Sequence, residues 1–287
     1  MRNTNLINRG NYATGKYSTD SLAFSSEFSN ESFENAYDGN HFRKNDVATR
    51  IDLISGMTRL EKIIDEINPD QKELELNIYE LMSSARMDYI TNLEKKLELE
   101  IDKLIRAKPE EFNSFRRFRT KSKFLSCISE FGHPPAYIIA LNFDPESKHQ
   151  NHRFGGDLDN TFHGKDFRLS GLQTHLKELG YKDGAILVKS DGIIYAVRAQ
   201  ITNVDPKAIF NGNKELDLNN PHIYGFKEPV NVRHFSALGA SFHLNELITY
   251  TLSEETGNIR RFKNGKITFS TLQDEDPYPN HYVSYAL

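Results

Sequence analysis

Apolar positions in the first third of the chain recur every three or four residues, which is the period of an amphipathic helix. They predict one helix over residues 47–67, and the sequence Asn68-Pro69-Asp70 predicts its end and a cap for the next. A second helix is predicted over residues 70–107, with a polar face rich in Glu and Lys. Because the connection is short, we expect an antiparallel helical hairpin.

Beyond residue 125 the pattern changes to short apolar runs separated by turn residues. We predict strands at 136–141, 184–188, 192–199 and 247–252, helices at 169–179 and 235–241, and a turn region with a return strand at 257–267. Ser190-Asp191-Gly192 is typical of a tight hairpin turn. The predicted fold class is α/β (α+β), a mixed β-sheet flanked by helices and preceded by the helical hairpin.

This pattern also predicts how the chain is divided. Residues 1–45 are rich in Asn, Ser, Thr and Gly without clear periodicity, so we expect a flexible segment. The hairpin should occupy residues 46–110 and serve regulation or oligomerisation, with a boundary near 109–125. The sheet domain should span 125–272, leaving 273–287 as a tail.

Composition and charge exclude several classes of protein. The net charge of -4 argues against a general polyanion binder, so phosphate recognition would need a local cluster of cations. Cys127 is the single cysteine, which excludes an intrachain disulfide and favours a reducing compartment. No apolar run approaches the roughly 18–20 residues that span a bilayer, so we expect a cytoplasmic protein without a membrane partner.

Three short polar segments are candidates for chemistry. In Asp183-Gly184-Ala185 a carboxylate precedes a glycine at a strand start, where a ligand can approach the backbone. Arg233 and His234 lie near the start of a predicted helix, which favours phosphate binding. In Ser253-Glu254-Glu255-Thr256-Gly257, paired glutamates end a strand and could hold a divalent metal. Each segment also has an ordinary alternative, respectively a turn, a surface pair and a hairpin connection.

The order of these segments resembles the diadenylate cyclase family over residues 125–272. Domains of that family carry Asp-Gly-Ala at a strand start, then Arg-His-Arg before Ala-Ala-Leu-Gly, then Ser-Glu-Glu-Thr-Gly. This chain matches with residues 183–185, with Arg233-His234-Phe235-Ser236-Ala237-Leu238-Gly239, and with residues 253–257. Phe235 stands where the family has its second arginine, and Asn231-Val232 stands where it has Gly-Thr.

The resemblance implies a mixed sheet that binds ATP and condenses two ATP molecules into cyclic di-AMP with release of two pyrophosphates. It also implies that two copies face each other as a homodimer or a larger even assembly, with Mg²⁺ or Mn²⁺ as cofactor. Asp183 and Glu254 would bind the metal, and both would join Arg233 and His234 in catalysis. The implied nucleotide contacts are Gly184, Ala185, Arg233, His234, Ser236, Ser253, Glu255 and Thr256.

Three alternatives stay open at this stage. A degenerate relative would bind nucleotide without turnover, an interpretation that Phe235 favours. A metal-dependent hydrolase would use His149, His152, His163 and His175, although no His-Glu-x-x-His motif or cysteine pair supports it. The basic residues between 116 and 123 could contact nucleic acid, but a solvated helix face accounts for them as well.

Overall fold

The computed structural model describes residues 39–107, 133–146, 161–210, 220–228, 230–272 and 275. The chain divides into two compact units, Met1–Asn45 and Asp46–Leu287. Apart from the start of the first helix, everything described below belongs to the second unit. Outside the described residues lie residues 1–38 of the predicted segment 1–45, the boundary at 109–125, the basic residues 116–123 and most of the tail. Residues 39–45 of that predicted segment are helical.

The first described elements are two long helices, α1 (Gly39–Ile63) and α2 (Pro69–Ala107). The Asn68 side chain accepts a hydrogen bond from the Asp70 amide at 2.8 Å and so caps α2, as its sequence predicts. Arg50 pairs with Glu94 at 2.6 Å, and the Tyr79 hydroxyl donates to the Leu53 carbonyl at 2.6 Å. The earlier α1 residue, Arg50, thus contacts the later α2 residue, which is the antiparallel hairpin that the short connection predicts.

The sheet has six strands in the order β3-β2-β1-β4-β5-β6. Only β1 and β2 are parallel, and every other neighbouring pair is antiparallel. The predicted class, a mixed sheet flanked by helices and preceded by a hairpin, is confirmed. The strands are β1 (Tyr137–Leu141), β2 (Ala185–Val188), β3 (Ile194–Ala199), β4 (Ile248–Leu252), β5 (Ile259–Lys263) and β6 (Lys266–Ser270).

The prediction for residues 257–267 was incomplete. That region holds the whole of β5, and the return strand β6 starts only at Lys266. Asn264 and Gly265 form the turn between them, both with positive φ, at 53° and 70°. An Asn-Gly pair is a strong signal for a two-residue hairpin turn because both residues tolerate that conformation.

Helices cover both faces of the sheet. The hairpin and helix α3 (Gln173–Leu179) pack on one face, and helix α4 (Val232–His243) packs on the other. The first core joins α1 and α2 residues such as Leu60, Ile78 and Met82 to alternate strand residues such as Ile139 and Tyr250. The hairpin and the sheet therefore share one hydrophobic core.

Candidate functional site

Strand direction brings the three polar segments to one end of the sheet. Tyr137, at the start of β1, pairs with Leu252, at the end of β4, and β2 runs parallel to β1. The starts of β1 and β2 and the end of β4 thus lie together. Asp183 precedes β2, Glu254 follows β4, and the first turn of α4 carries Arg233 to the same place.

Arg233 lies between two carboxylates. Its Nη2 atom is 3.9 Å from Asp183 Oδ1, and its Nη1 atom is 3.6 Å from Glu254 Oε2. Both separations exceed hydrogen-bond distance, and the buried Nη1 has no hydrogen-bond partner among the described residues. Asp183 is fully exposed, whereas the side chains of Arg233 and Glu254 are only 23% and 18% exposed. The guanidinium therefore has an unused donor, Nη1, on its Glu254 side and the open carboxylate of Asp183 on the other.

Asn231 joins the start of α4 to the loop after β4. Its Oδ1 accepts from the Arg233 amide at 3.1 Å, which caps the helix, while its Nδ2 donates to Glu255 Oε1 at 3.1 Å. Val232 is exposed and takes no part in the capping. Asn231 thus supplies a capping oxygen at the position where diadenylate cyclases have the glycine of Gly-Thr.

The loop of residues 253–257 is held by its own side chains. Ser253 Oγ donates to Glu255 Oε2 at 3.1 Å and accepts from the Thr256 amide at 3.2 Å. The Gly257 amide donates to the Ser253 carbonyl at 3.1 Å, and Gly257 has a φ of 73°. Three of the predicted nucleotide contacts therefore bind one another here and shape the turn that presents Glu254.

Two further residues reach Glu254, and sequence reasoning missed both. Arg86 of α2 donates from Nη1 to the Glu254 carbonyl at 3.0 Å, across 168 positions of the chain. His133 Nδ1 lies 3.4 Å from Glu254 Oε1. No pattern in the sequence marks either residue, because both are brought to the loop by packing between distant segments.

His234 lies behind this group, and its side chain is buried at 1% exposure. Its Nδ1 is 2.8 Å from Thr251 Oγ1, and Nε2 has no hydrogen-bond partner among the described residues. Burial lowers the pKa of His234 well below its ordinary value, and the charges of Arg260 and Arg233 lower it further. The imidazole is therefore neutral at pH 7, one layer below the exposed side chains.

Phe235 belongs to an aromatic cluster on the other side of α4. Its ring centroid is 5.3 Å from that of Tyr224 and 5.6 Å from that of Phe226, both in edge-to-face arrangements. The segment between β3 and α4 supplies both partners. Ser236, the next predicted contact, is partly buried on the same helix.

Gly184 is required by the sheet itself. It has a φ of 109°, and a Cβ atom placed there would lie 2.4 Å from the backbone carbon of Arg198. Arg198 also has a positive φ of 55°, at an irregularity in the pairing of β2 with β3. Ala185 follows as the buried first residue of β2. A close backbone approach thus explains the glycine without a ligand.

Carboxylate oxygens are the only candidate metal ligands among the three described side chains that meet at this end of the sheet. Asp183 and Glu254 offer carboxylate oxygens to either side of one guanidinium, and oxygen is the ligand that Mg²⁺ and Mn²⁺ prefer. Within the described part of the chain, no group of three or more His, Cys, Asp and Glu residues could hold a metal. Phosphate oxygens of a ligand would have to complete the coordination, as is common for Mg²⁺.

Of the four histidines that a metal-dependent hydrolase would use, the described residues include His163 and His175. His149 and His152 lie outside the described residues. His163 Nδ1 lies 2.6 Å from the Tyr195 carbonyl oxygen, and its ring is 6.0 Å from the Tyr195 ring. The geometry of His163 is thus set by backbone and ring contacts with β3.

Comparison with known proteins finds similar solved structures, two of which are described here. No protein-family model matches the sequence, and no curated protein matches it. A crystal structure of a cysteine double mutant of DacA from Staphylococcus aureus is 15% identical, covering 53% of this chain and 80% of that one, with a TM-score of 0.31. A hypothetical membrane spanning protein from Bacillus cereus is 17% identical, covering 71% and 98%, with a TM-score of 0.32. None of the described helices has the length and apolar character to cross a bilayer.

Proposed function

We propose that this end of the sheet binds ATP and that the chain is a diadenylate cyclase, which joins two ATP molecules into cyclic di-AMP and releases two pyrophosphates. The observation that carries the proposal is the meeting of Asp183, Arg233 and Glu254 from three separate segments around one guanidinium. The motifs that resemble the family are far apart in sequence, and they converge here.

Phosphate binding would rest on Arg233. Its buried Nη1 lacks a hydrogen-bond partner among the described residues, and the start of the twelve-residue helix α4 adds partial positive charge. A guanidinium forms paired hydrogen bonds with phosphate oxygens, and it can stabilise the charge that develops on them during phosphoryl transfer. This is the local cation that a chain with a net charge of -4 needs.

Asp183 and Glu254 would hold Mg²⁺ or Mn²⁺ together with phosphate oxygens. The metal would polarise the phosphate and lower the pKa of the attacking 3′-hydroxyl. Asp183 would orient that hydroxyl or accept its proton, and its full exposure supports this role. His234 would support the floor of the site as a neutral group, because it is buried against Thr251.

The reaction needs two ATP molecules, so two sites would face each other in a homodimer or a larger even assembly. Each 3′-hydroxyl would attack the α-phosphate of the opposite ATP. The full exposure of Asp183 supports this arrangement, because a carboxylate at the surface can meet a substrate held by a second copy.

The test is to incubate the protein with ATP and Mg²⁺ or Mn²⁺ and to identify the product by mass spectrometry. We expect cyclic di-AMP, formed at a rate per molecule that rises with protein concentration. Asp183→Asn should lower that rate by about a hundredfold or more, as loss of a metal ligand or base does. Asp191→Asn is the matched control, because Asp191 also precedes a glycine but lies in the turn between β2 and β3. Failure of the wild-type protein to form cyclic di-AMP with either metal would refute the cyclase.

A binding protein without turnover is the second candidate, and the position of Phe235 favours it. The side chain that replaces the family's second arginine packs against Tyr224 and Phe226 and brings no charge to the phosphates. ATP binding by calorimetry without any cyclic di-AMP would support this candidate over the cyclase.

A further inference from the structure

We infer that Arg86 of the helical hairpin is a positioning residue for the nucleotide site, so that the hairpin is part of that site. This inference rests on the proposed function, because the loop that Arg86 holds carries Glu254. It assigns a role to a helix that the sequence relates only to regulation or oligomerisation.

The contact between Arg86 and the loop is close and specific. Arg86 Nη1 donates to the Glu254 carbonyl at 3.0 Å. A Cβ atom on Gly257 would lie 2.7 Å from Arg86 Nε, so the loop backbone lies directly against the guanidinium. The contact therefore covers both ends of the turn from Glu254 to Gly257.

The guanidinium is itself held in place. It lies over the ring of Tyr89, one helical turn along α2, at 5.7 Å from the ring centroid. Tyr89 is only 6% exposed, so its ring is held in place by the surrounding core. An arginine stacked on a buried ring presents its donors in one direction, which is what a positioning role requires.

The loop transmits this position to the reacting groups. The Glu254 side chain points to Arg233 at 3.6 Å, while Glu255 binds Asn231, the cap of α4. A shift of the Glu254 backbone would therefore change the distance between the carboxylate and the phosphate-binding guanidinium. Shifts of about 1 Å at such sites lower activity strongly.

A second hairpin arginine provides a matched control. Arg59 of α1 donates from Nη2 to the Thr271 carbonyl at 2.7 Å, and its guanidinium lies 5.7 Å from the Phe269 ring centroid. It thus makes the same kind of contact between hairpin and sheet, a backbone carbonyl and an aromatic ring, but near β6. The two substitutions should weaken the hairpin contact similarly and differ in their effect on the loop of residues 253–257.

The experiment compares wild type, Arg86→Ala, Arg86→Lys and Arg59→Ala with two measurements. Hydrogen exchange of the amides in residues 253–257 reports the loop without any ligand. Calorimetry with Mg²⁺ and an ATP analogue that carries a methylene bridge between the α- and β-phosphorus atoms reports binding without turnover. We expect Arg86→Ala to speed the loop exchange and to raise the Kd about tenfold, as loss of a charged hydrogen-bond donor does.

Arg86→Lys should recover part of the affinity, because a lysine can still donate to the Glu254 carbonyl. Arg59→Ala should leave the loop exchange and the Kd at wild-type values. Wild-type exchange and wild-type Kd in Arg86→Ala would overturn the inference, as would equal effects of Arg86→Ala and Arg59→Ala. If the wild-type protein does not bind the analogue at all, the proposed function fails, and the loop exchange still reports separately whether Arg86 positions the loop.

Discussion

Arg233 and His234 are neighbours on α4 with opposite surroundings. Arg233 lies beside two carboxylates and keeps its charge at the mouth of the site. His234 is buried, bonded to Thr251 and lies near the charges of Arg233 and Arg260, which makes a second positive charge unfavourable. The helix therefore places one permanent cation outward and one neutral ring inward.

Stability should depend on pH through His234. In the unfolded chain a histidine titrates near pH 6.5, about its ordinary pKa, whereas the folded pKa lies well below. As the pH falls below about 6.5, His234 binds a proton in the unfolded state but not in the folded state. The free energy of unfolding should therefore fall by about 1.4 kcal/mol per pH unit until the folded pKa is reached.

Urea unfolding of wild type and His234→Asn at pH 7 and pH 5.5 measures this effect. The variant should be less stable at pH 7 because it loses packing, but it lacks the titrating ring. The difference in the free energy of unfolding between the two proteins should narrow at pH 5.5, since the other histidines are common to both. A difference that stays constant would show that His234 titrates alike in both states.

At the scale of elements, a buried ion pair joins α2 to the centre of the sheet. Arg261 of β5 donates to Glu75 from Nε at 2.6 Å and from Nη2 at 3.1 Å. Tyr250 of β4 also donates to Glu75, and burial beside that carboxylate raises the tyrosine pKa well above its usual value. All three side chains are almost fully buried, so each depends on the others for its hydrogen bonds.

Glu75→Gln should therefore destabilise the protein strongly. The substitution leaves Arg261 as a buried charge without its counterion, which costs about 3–5 kcal/mol. Glu94→Gln is the control, because it breaks the partly exposed pair with Arg50 on the same hairpin and should cost under about 1 kcal/mol. Urea unfolding measures both changes, and comparable values for the two variants would contradict the assignment.

At the scale of the whole molecule, the hairpin completes the core of the sheet. Side chains from Leu53 to Ala85 belong to the same cluster as those of β1, β2 and β4. The sheet face that they cover is apolar along several strands, so its exposure to water would be unfavourable.

A fragment of residues 125–287 should consequently fail to fold as a stable monomer. Removing the hairpin exposes the apolar face and takes away Glu75, the hydrogen-bond partner of Arg261. Circular dichroism and gel filtration of the fragment should show an aggregated or poorly structured chain. A monomeric fragment with a cooperative unfolding transition would show instead that the sheet domain is independent of the hairpin.

Regular elements were the more predictable part of this molecule. The 3.6-residue period and the Asn68 cap predicted both bounds of α2 to within one residue, because both are local properties of the chain, whereas α1 begins eight residues and ends four residues before its predicted bounds. The strand β5 in residues 257–267 was harder to predict. It is buried on both faces, so its sequence shows no alternation of apolar and polar residues, and it includes two buried arginines, Arg260 and Arg261. A sequence pattern places arginine at the surface by default, because arginine is seldom buried without a charged partner. The partner of Arg261 is Glu75, which is 186 positions away and therefore cannot be recognised from neighbouring residues.

The sequence by itself determined the helical hairpin, the mixed sheet and the three polar segments, because periodicity, turn residues and motifs are read from neighbouring positions. Tertiary structure alone decided which of those segments meet. It placed Arg233 between Asp183 and Glu254 and buried His234. It also packed Phe235 in an aromatic cluster and brought Arg86 into contact with the loop of residues 253–257. The physical reason is that strand direction and core packing set distances between residues far apart in the chain, and no local pattern encodes those distances.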